Sequence, residues 1–227
     1  GLALAGSLAE IAAAAKALAG GATVSWDLPC GVPMLAWNLR LNPLAAYFNL
    51  ALGILAAAVS IYSFGYLRFM EERRGIGWLG FFYNLLLLSL TLVFTAGNAY
   101  FFLLAWEVMA LAAYCLVSFE HEKETTRSAG MVFLIMSHAG TGCLLLAFLI
   151  LARAAGSLDF AAFHGLASRL PASEQAAVFA LFFLGFGVKA GIIPLHVWLP
   201  AAHPVAPSNI SALMSGVVIK TGIYGMA

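Results

Sequence analysis

Three ionisable side chains stand where a strongly apolar chain should carry none. Glu107 lies alone in AYFFLLAWEVMALAAYCLVSF (99–119), Lys189 in LFFLGFGVKAGIIPLHVWLP (181–200), and Lys220 in the run that follows Ser208. At the ~1.5 Å rise of a helix, Glu107 falls ~12 Å into its run, Lys189 ~20 Å into its own and Lys220 ~17 Å from the start of the last. A hydrocarbon layer ~30 Å thick leaves all three too deep to reach water by stretching. A lysine there costs about 2.5 to 3.5 kcal/mol on insertion scales, so each charge must face another charge, water or backbone. An acid and two bases so placed can exchange a proton. The functional reading makes Glu107 and Lys189 a pair, with Lys220 the next proton site along the membrane plane. A membrane potential supplies about 2.3 kcal/mol per charge per 100 mV, comparable with the cost of making or breaking one such pair. The rival reading is a static buried ion pair that only fixes helix packing, and removing one partner is costly in either case.

The residues around Lys189 add to the chemistry. Pro194 has no N–H for the carbonyl of Ala190, which predicts a helix broken at Pro194 with freed acceptors beside the lysine. Broken helices occur at membrane depth where they line a cavity or are buried in protein, and transporters place ion sites there. His196, past that break, is a relay candidate because a neutral imidazole both accepts and donates a proton. His138 shares one helical stripe with Ser137 and Thr141 and serves either as a relay or as a hydrogen-bonded packing residue. His203, between Ala202 and Pro204, sits at the cytoplasmic mouth or orders the loop. His164 reads as solvated, and His121, in a charged loop, has no assigned role. Gly185, Gly187 and Gly191 offer a small-residue face on which a neighbouring helix can approach the lysine.

The elements that position these residues follow from composition. With 63% hydrophobic and 9% charged residues in 227, and a mean hydropathy of +0.96, this is an all-α polytopic transmembrane bundle with one discontinuous helix. A formal charge of +1 without a clustered basic face removes any electrostatic case for nucleic acid. Cys30, Cys115 and Cys143 show no spacing for zinc, haem or iron–sulfur clusters, so no cofactor and no metal is expected. The chain opens on Gly1 and stops at Ala227 within an apolar run, which predicts a segment cut at both ends.

Residues 1–19 read as a weak span or the remnant of one, and 22–43 as a short extramembrane hairpin or an irregular loop around Pro-Cys-Gly-Val-Pro. Spans are predicted over 44–66, 77–97, 99–119 and 128–152, then a broken run over 176–199 and a last span over 209–227. Between them, Ser157 is expected to cap a short interfacial helix facing inward through Phe160, Phe163 and Leu166, and Ser208 to cap the last span. Arg68, Arg73, Arg74, Lys123 and Arg127 on alternate loops, against Arg40, Arg153 and Arg169 opposite, put 67–76 and 120–127 in the cytoplasm.

FLLAWEVMALAAYCLV, LFFLGFGVKAGIIPLHVWLPAAHPVAPSNISALMSG and VVIKTGIYG resemble the antiporter-like subunits shared by respiratory complex I, multi-subunit sodium/proton antiporters and membrane-bound group 4 nickel–iron hydrogenases. Within that family, APSNISALMSGVVIKTGIYG, SHAGT and GSLDFAAF are most similar to the hydrogenase 4 and formate hydrogenlyase type. The resemblance implies two inverted five-helix repeats, each with a broken helix. Residues 1–76 would be the helices before the first repeat, and 77–227 that repeat, incomplete at its C-terminus. It matches Glu107 to the family's glutamate, Lys189 to the broken-helix lysine, Lys220 to the lysine of the next helix, and His196 and His203 to the broken-helix and loop histidines. The second repeat is absent. The implied function is proton or sodium translocation in a prokaryotic inner membrane, driven by electron transfer in peripheral redox subunits, with no redox centre in this chain. A multi-subunit antiporter, NADH:quinone oxidoreductase or a non-conducting membrane anchor are the alternatives.

Overall fold

The computed structural model describes residues 1–28, 37–68 and 76–227. The Pro-Cys-Gly-Val-Pro turn with Cys30, and Arg73 and Arg74 of the basic loop, lie outside the described residues. The remnant expected at the start is a full helix, α1 (Leu2–Gly20), built from Ala and Leu and lying along α2 (Pro43–Arg68). Pro43 opens α2 with its φ preset for a helix, and Asn42 Oδ1 accepts the backbone N–H of Ala45 at 2.8 Å. Between α1 and α2 runs the hairpin, β1 (Val24–Leu28) antiparallel to β2 (Trp37–Leu41) with Val24 opposite Leu41. It is the one departure from an all-α chain among the described residues.

α3 (Ile76–Thr95) and α4 (Ala99–Val117) are joined by three residues, and Asn98 Oδ1 caps α4 by accepting from the N–H of Phe101 at 2.8 Å. That connection ties one end of the bundle together. The N–H of Gly97 donates to Asn38 of the hairpin at 2.8 Å, and the Gly97 carbonyl accepts from Phe160 at 3.1 Å. α5 (Glu124–Ala155) starts four residues before the predicted span, because a helix N-terminus favours the acidic Glu124 that hydropathy alone excludes. Its far end carries Arg153 and stops at Gly156.

One turn, α6 (Phe160–Phe163), follows, with Phe160 and Phe163 stacked toward Phe148 of α5 and Leu166 buried. The predicted cap is displaced: Asp159 occupies the cap position, and Ser157 Oγ instead accepts the Asp159 N–H at 3.1 Å, closing a local turn. α7 (Ala172–Ala190) packs on α5, and after an eight-residue turn comes α8 (Leu199–Ala202). The chain then stays helical from Ser208 to Met226, as α9 (Ser208–Leu213), a π-helical turn (Met214–Val218) and α10 (Ile219–Met226). Pro207, not Ser208, sits at the cap position, and Ser208 makes no capping bond there.

Six helices among the described residues, α1 to α5 and α7, are long and apolar enough to cross a membrane. α4 packs against α3 and α5, and α7 against α5 and α10, so α5 is the shared neighbour of the helices that carry Glu107 and Lys189.

Candidate functional site

The helix that carries Lys189 ends for a reason other than the predicted one. Gly191 adopts φ 72°, the left-handed conformation that glycine enters without a Cβ clash. The N–H of Ile192 returns to the Gly187 carbonyl at 3.0 Å and that of Gly191 to Val188 at 3.3 Å, a Schellman stop. Pro194 lies three residues beyond and only prevents resumption. The acceptors freed at this end do not go to the lysine: Trp198 Nε1 donates to the Val188 carbonyl at 2.7 Å. Gly187 and Gly191 face the chain's own turn through Leu195 and Leu199, so they are not the predicted helix-contact face. The close approach is at Gly185, where a Cβ would stand 2.9 Å from the Gly140 carbonyl and 2.5 Å from Leu144 of α5.

Lys189 is therefore held in the last turn of α7, where a cation complements the helix dipole, with only 1% of its surface exposed. Its Nζ has no hydrogen-bond partner among the described residues. What it has is aromatic: Nζ stands 4.9 Å from the centroid of Phe133 and 5.8 Å from that of Trp106. Trp198 packs edge-on against Phe133, and Phe186 against Trp106, which walls the amine off from water.

Glu107 does not form the expected ion pair with Lys189 among the described residues. Its Oε2 lies 3.4 Å from His138 Nε2 of α5, and its Oε1 is buried with no hydrogen bond among the described residues. His138 Nδ1 is 3.1 Å from the Leu134 carbonyl, an acceptor only, so that nitrogen carries a proton. Nε2 and the Glu107 carboxyl can then share one further proton, held on either side. At 3.4 Å this contact is long for a hydrogen bond and needs a small rotation to close. The Ser137, His138 and Thr141 stripe does not act as a unit: Ser137 is buried, Thr141 donates back to the Ser137 carbonyl at 3.0 Å, and His138 alone turns to Glu107.

A second cluster forms at the loop and last helix. His203 Nδ1 lies 3.0 Å from Ser211 Oγ and 3.4 Å from Ser215 Oγ, with Nε2 buried and unpartnered among the described residues. Lys220, exposed on this chain, donates from Nζ to the Ser215 carbonyl at 3.0 Å across the π-helical turn. Ser215 thus touches both groups. Ser211 and Ser215 escaped the sequence reading, although Ser208, Ser211 and Ser215 recur at three and four residues, the spacing of one helical face. His196 lies in the turn after Gly191, half-buried, with Nδ1 buried and unpartnered among the described residues. His164 is exposed, as expected.

Residues 96–227 match the NADH:quinone oxidoreductase/Mrp antiporter transmembrane family. The chain is 43% identical over 189 residues to hydrogenase-4 component B of Escherichia coli (strain K12), covering 83% of this chain and 28% of that protein. It is 31% identical over 221 residues to formate hydrogenlyase subunit 3 of the same organism, covering 97% and 34%. It thus spans about a third of the length of these curated relatives. Its fold matches a chain of the membrane-bound sulfane sulfur reductase, an archaeal respiratory membrane complex, with a TM-score of 0.85, 23% identity and coverage of 98% and 46%. The chain is an antiporter-like multi-pass membrane protein, and it belongs to the NADH:quinone oxidoreductase/Mrp antiporter transmembrane family.

Proposed function

We propose that this chain is a proton-translocating part of a redox-driven complex in a prokaryotic inner membrane, of the hydrogenase 4 or formate hydrogenlyase kind. Electron transfer in peripheral partner subunits changes the charge state of neighbouring membrane groups, and Lys189 gains or releases a proton in response. The observation that carries this reading is a buried amine, 1% exposed and without a hydrogen bond among the described residues. An amine fixed for packing alone would be expected to keep its donors paired, since an unpaired buried charge is among the costliest groups a protein can hold. Glu107 and His138 supply an adjacent pair that can hold one proton in two places. His196 is the candidate link past the helix break, and His203 with Lys220 the onward site. Protons are the ion favoured by these groups; sodium would need oxygen ligands, which Lys189 does not supply.

The test is proton uptake into liposomes by the complete complex, built from the full-length protein. Glu107→Gln and Lys189→Ala variants that assemble normally should lose uptake while electron transfer continues. Uptake at the parent rate in both would remove the proposal. The family description also favours a second reading, a subunit of a multi-subunit Na+/H+ antiporter that works without redox partners. Purification of the tagged full-length protein separates the two: hydrogenase subunits accompany it in the first case and only small membrane subunits in the second.

A further inference from the structure

Halfway along α1 stands a carboxyl that neither cluster uses. Glu10 is deep in a helix long enough to cross the membrane, and Thr91 of α3 reaches its Oε1 at 2.8 Å. The same Thr91 Oγ1 also lies 3.2 Å from the Leu87 carbonyl of its own helix. A hydroxyl has one hydrogen to give. If Glu10 is ionised, that hydrogen must be divided between a carboxylate and a backbone carbonyl. If Glu10 is protonated, its O–H donates to Thr91 Oγ1 and Thr91 donates on to Leu87, so each hydrogen has its own acceptor. Only the second state uses both contacts fully.

Charge complementarity points the same way. α3 carries no charged residue, only Tyr83 as a titratable group, and α2 carries Tyr47, Tyr62 and Tyr66 before its last residue, Arg68. Lys16, the other ionisable side chain of α1, is exposed and six residues on, which turns it to a different face of the helix. No cation of the described residues is therefore in place to hold a carboxylate in the bilayer. We propose that Glu10 is a proton-binding site separate from the Lys189 cluster, a carboxyl that keeps its proton at neutral pH and clamps α1 to α3, with Thr91 as its positioning residue. This does not rest on the translocation reading and would hold for a non-conducting chain.

The experiment is an infrared difference spectrum at neutral pH between the parent complex, built from the full-length protein, and Glu10→Gln, which keeps the shape of the protonated acid. The parent should show the carbonyl stretch of a protonated carboxylic acid that the variant loses, and Thr91→Val should shift that band to higher frequency as its hydrogen bond goes. Carboxylate bands in its place would overturn the proposal, as they would report a cation supplied by a partner subunit. Failure of Glu10→Gln to assemble would overturn it too, because a neutral isostere should be tolerated. An unmoved band in Thr91→Val would remove the positioning role.

Discussion

Lys189 and Lys220 carry the same charge on two helices that pack together, yet they are held in opposite ways. Lys189 is enclosed by Phe133 and Trp106, with its ammonium hydrogens unmatched among the described residues; Lys220 is exposed and donates to the Ser215 carbonyl. The first arrangement leaves a buried cation unmatched by hydrogen bonds, which is a costly state. The second gives the ammonium a carbonyl acceptor at the surface of this chain. In the proposed translocation the enclosed amine is the site that responds to redox state and the exposed one the site that receives.

The sharpest way to break this contrast is to neutralise each lysine without changing its bulk much. Lys189→Met should abolish proton uptake by the complex and also raise its thermal stability, by about 1 kcal/mol or more, since an unmatched buried charge is replaced by a side chain that suits the aromatic walls. Lys220→Met should lower uptake with a stability change within about 0.5 kcal/mol, as at other exposed sites. If thermal unfolding shows Lys189→Met strongly destabilised, the lysine is a packing group and the contrast fails. Next in size is Glu107→Gln, which removes the carboxyl that can share a proton with His138; uptake should fall about 100-fold, the scale of a lost acid–base group. Phe133→Leu should cost about 1 kcal/mol more in the parent than in the Lys189→Met background, the difference in this double-mutant cycle being the ring–ammonium contact. The smallest effect expected is that of Ser211→Ala, about 1 kcal/mol or less from the His203 hydrogen bond, read by the same unfolding assay.

Much of this was legible in the sequence because hydropathy and burial cost are properties of residues one at a time. The spans, the hairpin around its proline turn, and Glu107 and Lys189 as misplaced charges need no partner to be seen. What failed were statements about which group meets which. Pro194 is a strong breaker, so the break was placed there; Gly191 three residues earlier, followed by that proline, was the actual stop signal and is the usual order at a helix end. Opposite charges attract, which pairs Glu107 with the lysine on sequence grounds, whereas the structure sets its carboxylate against His138. Ser211 and Ser215 carry no charge and were passed over, although their spacing already placed them on one face. Glu10 is an acid in an apolar helix, but its partner Thr91 lies on α3, beyond the hairpin and α2, and leaves no local trace beside it.

The central claim is that Lys189 must give up its proton, and the replacement that isolates this is Lys189→Arg, because a guanidinium keeps the positive charge and does not deprotonate in proteins. Proton uptake by the reconstituted complex, with assembly and electron transfer intact, should fall to the level of Lys189→Ala. Uptake at the parent rate in the arginine variant would show that charge alone suffices, and would contradict the account.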